Sequence, residues 1–86
     1  QVEIFEADIP KDLQQKAIAR VSEAMAKYTI EKDIATDIKK YFDEDCGGSW
    51  HCVAGRSFGC SVTHGTKYLF FFRVEQLYLL LFRSPE

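Results

Sequence analysis

Trp50-His51-Cys52-Val53-Ala54-Gly55-Arg56-Ser57-Phe58-Gly59-Cys60-Ser61-Val62-Thr63-His64 decides how this chain folds. β-branched and aromatic residues run through it, which suits pleated strands, and Gly55-Arg56-Ser57 supplies a turn signal between its two halves. Two strands are expected, about 50–55 and 58–63. His51 and Cys52 are neighbours on the first of them, so their side chains point to opposite faces.

Towards the C-terminus, turn signals at His64-Gly65-Thr66-Lys67 and Glu75-Gln76 delimit two further strands, about 68–74 and 77–83. Both are apolar on two faces, with Tyr68, Phe70, Phe72 and Val74 on one side and Leu69 and Phe71 on the other. Towards the N-terminus, Val2 and Ile4, with Phe5 beside them, interleave with Glu3 and Glu6 as a short first strand that ends at Asp8-Ile9-Pro10. Pro10 suits the first turn of a helix, where its missing N–H is not needed. Leu13, Ala17, Val21, Ala24, Met25 and Tyr28 then fall on one helical face, with Ile18 at its border, and predict an amphipathic helix of about 17 residues. Ile34, Ile38, Tyr41 and Phe42 predict a second, from about Lys32 to Asp45, closed by Gly47-Gly48.

The fold class expected is α+β, with two helices flanking an antiparallel sheet. Helices on one face would leave Leu69, Phe71, Tyr78, Leu80 and Phe82 exposed on the other in an isolated monomer. At roughly 25 cal/mol per Å² of apolar surface, that exposure forgoes several kcal/mol. A sheet-to-sheet homodimer removes it.

Composition narrows the function. At 86 residues the chain reads as one domain spanning 1–86, and at that size only about 60–65% of the unfolded surface is buried. Eleven Lys and Arg against thirteen Asp and Glu give a net charge of -2, with no basic block to neutralise phosphates, so no nucleic-acid partner is expected. Arg73, Glu75 and Gln76 divide the apolar C-terminal end into runs too short for a membrane span, which needs about twenty residues. The first residues lack a basic segment leading into an apolar run, so no signal peptide is expected. Three cysteines, Cys46, Cys52 and Cys60, read as reduced thiols of the cytosol.

Those cysteines with His51 and His64 invite a zinc or a Cys–His nucleophile reading. No close Cys pair comes from one turn, however, and His51 and Cys52 diverge, so neither metal, cofactor nor catalysis is expected. Gly55 and Gly59 are explained by turns rather than by phosphate binding. Glu31, Lys32 and Asp33 form either a solvated helix start or, with the helix N–H groups, a polar contact for a bound peptide. His51, if it lies at a subunit interface, opposes association when charged.

Tyr28-Thr29-Ile30-Glu31-Lys32-Asp33-Ile34-Ala35, Ile38-Lys39-Lys40, Phe42-Asp43, Trp50-His51-Cys52-Val53, Gly55-Arg56, Phe58-Gly59, Val62-Thr63-His64, Thr66-Lys67 and Leu80-Leu81-Phe82 together resemble the eight-kilodalton dynein light chain family. The resemblance covers nearly the whole chain. It implies a non-catalytic, strand-swapped homodimer, a hub of dynein complexes on the cytoplasmic or axonemal microtubule cytoskeleton. Extended segments of partners, dynein intermediate chain among them, would add as strands in two symmetric grooves.

On that resemblance Phe58, Gly59, Cys60, Ser61, Val62 and Thr63 form the strand that crosses to the partner, with Thr63 and His64 at its client-facing end. Glu31 and Lys32 contact a client glutamine, and Leu69, Phe71 and Leu80 line the groove floor, with Arg73 and Tyr78 also in the groove. His51, Ser57, Phe58, Cys60 and Val62 lie at the dimer interface, where protonation of His51 favours monomers. The chain departs from the family pattern at Ser61 and Arg73, where Tyr is usual, at Glu75, where Gly is usual, and at Tyr78, where a small Ala is usual. Cys46-Gly47-Gly48-Ser49 also replaces the usual Tyr-Asn-Pro-Thr. Tyr78 and Arg73 therefore make an occluded groove, in a dimer that binds no linear motif, the alternative reading.

Overall fold

A computed structural model describes residues 1–59 and 68–84. In chain order the elements are β1 (Val2–Asp8), α1 (Lys11–Lys27), α2 (Glu31–Cys46), β2 (Trp50–Gly55), β3 (Leu69–Val74) and β4 (Leu77–Arg83).

Pro10 precedes α1 with φ of −59°, and its carbonyl accepts the N–H groups of Leu13 and Gln14 at 3.0 and 3.1 Å. Its fixed φ and missing donor make it a natural helix start. Tyr28 leaves the helix in an extended conformation. Glu31 and Asp33 place negative charge in the first turn of α2, where the dipole favours it. Gly47 and Gly48, at φ of 74° and 86°, end that helix in the left-handed region. A side chain at Gly48 would meet the Arg83 Cδ at 2.8 Å. The exit from α2 is pinned twice: Asp43 accepts the Trp50 N–H at 2.8 Å, and the Trp50 indole donates to the Gly47 carbonyl at 2.9 Å.

The four described strands form one antiparallel sheet in the order β1-β3-β4-β2. Period-two alternation sorts its residues. Trp50, Phe70, Phe72, Val74, Leu77, Leu79 and Leu81 face the helices and are buried with Ala17, Val21 and Ala24 of α1 and Ile34, Ile38 and Phe42 of α2. Phe42 lies 4.9 Å from Trp50, ring centre to ring centre, and Phe70 stacks on Phe72 at 4.2 Å. All the helix-derived core sits on this one face, as the sequence pattern required.

Two expectations need correction. Phe58 and Gly59 are not in a strand; the rest of the expected strand 58–63 lies outside the described residues. On the face away from the helices, Leu69 is buried at 5% exposure, and Phe71, Tyr78, Leu80 and Phe82 are half-buried rather than exposed. The chain's own Phe5 and Phe58 cover part of that face.

Candidate functional site

Strand register arranges the sheet's outer face in three rows. Asp8, Leu69, Phe82 and His51 form the first; Glu6, Phe71, Leu80 and Val53 the second; Glu3, Arg73, Tyr78 and Gly55 the third. Phe5 shares this face with Glu3 by simple alternation, and a register shift between Ile4 and Glu6 in β1 adds Glu6 beside it. Its ring lies 5.0 Å from Phe71 and 5.7 Å from Tyr78, ring centre to ring centre. Phe58 reaches the cluster from the other side, 5.6 Å from Phe71 and 6.2 Å from Tyr78. Four aromatic rings thus share the middle of this face.

The third row is the polar one. Arg73 Nη2 donates to Glu3 Oε1 at 2.9 Å, and its guanidinium carbon stands 6.0 Å from the Tyr78 ring centre. Its Nε is buried and finds no acceptor among the described residues. At one end of the first row, His51 Nε2 lies 2.5 Å from Ser84 Oγ, and the imidazole packs 5.2 Å from Phe82. The Ser84 N–H in turn donates to the Ser49 carbonyl at 2.9 Å.

β2 is hydrogen-bonded to β4 alone among the described residues, so its other edge has no described strand beside it. Val53 on that strand is 47% exposed. Just past its end, Arg56 Nε stands 3.3 Å from Glu31 Oε2, and Arg56 Nη1 donates to Gln76 Oε1 at 3.5 Å. A cavity of about 300 Å³ opens there, lined by Met25, Tyr28, Glu31, Ile34, Arg56 and Gln76 among others. Lys32 lies at the exposed start of α2, where its carbonyl accepts the Thr36 hydroxyl at 2.9 Å.

The structure therefore gathers Leu69, Phe71, Arg73, Tyr78, Leu80, His51 and Phe58 on one side of the sheet and puts Glu31 and Lys32 at the α2 end. Ser57 and Gly59 are exposed in the segment that follows β2. Cys60, Ser61, Val62, Thr63 and His64 lie outside the described residues. Glu3, Phe5 and Arg56 belong to the same surface although the sequence reading assigned them no part in it. Phe5 breaks the alternation of β1, the one local signal that could have placed it. Among the described residues no three His, Cys, Asp or Glu side chains converge as a metal site. Cys52 packs against the core, and burial pushes its thiol up to about 12. No helix of the described residues is long and apolar enough to cross a membrane.

Two helices on one face of a four-stranded sheet, with an aromatic outer face, define the class of small α+β domains typified by dynein light chains. The chain belongs to the dynein light chain family: the family model for dynein light chain type 1 matches residues 1–84. It is 48% identical over 82 residues to the cytoplasmic dynein light chain of Emericella nidulans, covering 95% of this chain and 87% of that relative. The dynein light chain-like domain of the Fasciola hepatica calcium binding protein FhCaBP2 superposes with a TM-score of 0.83 at 26% identity, over 99% of this chain and 93% of that one. The corresponding domain of CsTAL3 gives a TM-score of 0.83 at 13% identity, over 99% and 94% of the two chains, a likeness of fold.

Proposed function

We propose that residues 1–86 act as a single, non-catalytic light-chain domain and dimerisation hub of dynein motor complexes in the cytoplasm. The functional unit is a homodimer that takes short extended segments of partner proteins, dynein intermediate chain among them, by strand addition. Family membership supports the light-chain role. The observation that carries the binding mode is the pairing of a half-covered aromatic outer face with a β2 edge that no described strand occupies.

An open edge offers backbone donors and acceptors to a further strand, and a strand from a second copy seated there would bring two outer faces together at about 10 Å. A client strand added beyond it would lie across the outer face of the opposing sheet. Its backbone hydrogen bonds would supply affinity, and its alternate side chains would reach Phe71, Arg73, Tyr78 and Leu80. Glu31 and Lys32, at the start of α2, would meet polar groups at one end of the client. Two such sites make the second of two linked clients an intramolecular binder. His51, Ser57, Phe58, Cys60 and Val62 are assigned to the contact between copies, and Gly59, Ser61, Thr63, His64 and Leu69 to the client side.

Sedimentation of the purified chain, followed by calorimetric titration with a dynein intermediate-chain segment, tests this reading. A dimer that binds one segment per protomer is expected. The stacking of Phe5 on Tyr78 favours a second reading, a dimeric interaction protein whose groove these rings close. A dimer that ignores the segment, but binds it after Tyr78→Ala, would establish the closed form.

A further inference from the structure

We propose that Arg73 is a specificity-determining anchor that selects client segments carrying an aspartate or glutamate; the inference rests on the strand-addition reading above. Arg73 sits mid-sheet, between Glu3 of β1 and Tyr78 of β4 in one row of the outer face. Its side chain is 33% exposed, and one carboxylate oxygen, Glu3 Oε1, bonds to it at 2.9 Å. A guanidinium carries five N–H donors in a planar fork. The Nε donor is buried and finds no acceptor among the described residues.

Nε is closed to an arriving ligand, but the rest of the partly exposed guanidinium is not, and a carboxylate meets it there with charge-assisted bonds that an amide or a hydroxyl does not match. Glu3 does not saturate the fork, since it meets Nη2 alone. The Tyr78 ring beside the guanidinium holds the cation on the face, where a crossing strand would pass.

A second copy is the poorer source of the acceptor. A copy joined through the β2 edge brings β2 and β4 to the contact, and neither Trp50–Gly55 nor Leu77–Arg83 contains an acidic residue. Among the described residues the acids of the outer face, Glu3, Glu6 and Asp8, stand on β1, at the opposite edge of the sheet. A client segment is free to carry its carboxylate wherever the register requires.

Panning random peptides, long enough to cross the sheet, against the whole chain tests the assignment without presupposing a client. Enriched peptides should share an Asp or Glu at one register position. Changing that residue to Asn or Gln should weaken binding to the unaltered chain by about 10-fold or more, as expected for a hydrogen-bonded charge pair. Arg73→Gln should erase that difference while sedimenting as the same oligomer. Enriched peptides with no shared acid, or an Asp→Asn change without effect, would overturn the anchor and leave strand addition standing. If Arg73→Gln alters self-association and leaves the acidic preference intact, Arg73 serves the contact between copies and the proposal fails. Enrichment of no peptide at all would overturn both readings. The peptide-side substitution decides the matter even if the Arg73 variant does not fold.

Discussion

The rings of Phe5 and Tyr78 lie face to face, 5.7 Å apart and within 3° of parallel, across the strand that separates β1 from β4. Phe5 faces outward two residues after Glu3, and it meets a large ring where the resemblance led one to expect alanine. Offset aromatic pairs are worth about 0.5–1.5 kcal/mol beyond the area they bury. A double-mutant cycle with Phe5→Ala and Tyr78→Ala, read by urea unfolding, should show coupling of that size. Additive single effects would mean that the rings are neighbours without being partners.

Glu75 occupies the two-residue turn between Val74 and Leu77 at φ of 57°, a left-handed conformation that a side chain disfavours by roughly 1–2 kcal/mol. Glycine adopts it freely and recovers that strain, less the greater entropy it loses on folding. Glu75→Gly should therefore stabilise the chain by about 0.5–1 kcal/mol in denaturant titration. A loss of stability would show that the carboxylate contributes more than the turn costs.

Asp43 joins α2 to β2. One carboxylate oxygen accepts from Lys39, the other from the Trp50 N–H. The Lys39 bond, then the Trp50 N–H, hold this carboxyl below its ordinary value. Its contribution is present above about pH 4 and is lost as pH falls through the depressed value. Asp43→Asn should cost about 1 kcal/mol near neutrality and flatten the acid limb of the stability profile. An acid limb as steep as that of the unaltered chain would locate the acid sensitivity elsewhere.

The features legible in the sequence were those that a local period carries. Ala17, Val21 and Ala24 repeat every three or four residues and Phe70, Phe72 and Val74 every two, so α1, α2 and the two faces of β3 follow from spacing alone. The α2 bounds, Glu31–Cys46, differ from the expected ones by a single residue at each end. β1 was only partly legible because a bulge at Phe5 reverses the facing of Glu6, Ala7 and Asp8 beyond it. Long-range polar partners leave no periodic trace: Glu31 meets Arg56, and Glu3 meets Arg73, across long separations in the chain. Phe58 reads as a strand residue by composition, yet it lies over Phe71 and Tyr78 outside any strand.

Burial against the helix-side core raises the Cys52 thiol to about 12. The neutral form is the one the fold stabilises, so this contribution is complete below the ordinary thiol value and is lost as pH rises towards 12. In the native chain at pH 8 the thiol should resist a disulfide reagent and react only on unfolding. Cys52→Ser should leave the number of fast-reacting thiols unchanged. One fast thiol fewer would mean that Cys52 is open to solvent.

His51 shares an outer-face row with Leu69 and Phe82 on the strand whose far edge has no described partner. If two copies join through that edge, a permanent charge at His51 must either be desolvated between apolar side chains or keep the faces apart. His51→Lys should therefore sediment as a monomer near neutrality. Substitution also removes the contact with the Ser84 hydroxyl, so His51→Ala separates the two effects by losing that contact without adding charge. Dimeric His51→Ala with monomeric His51→Lys would assign the change to charge at the contact. Dimers in both would place the contact between copies away from this row.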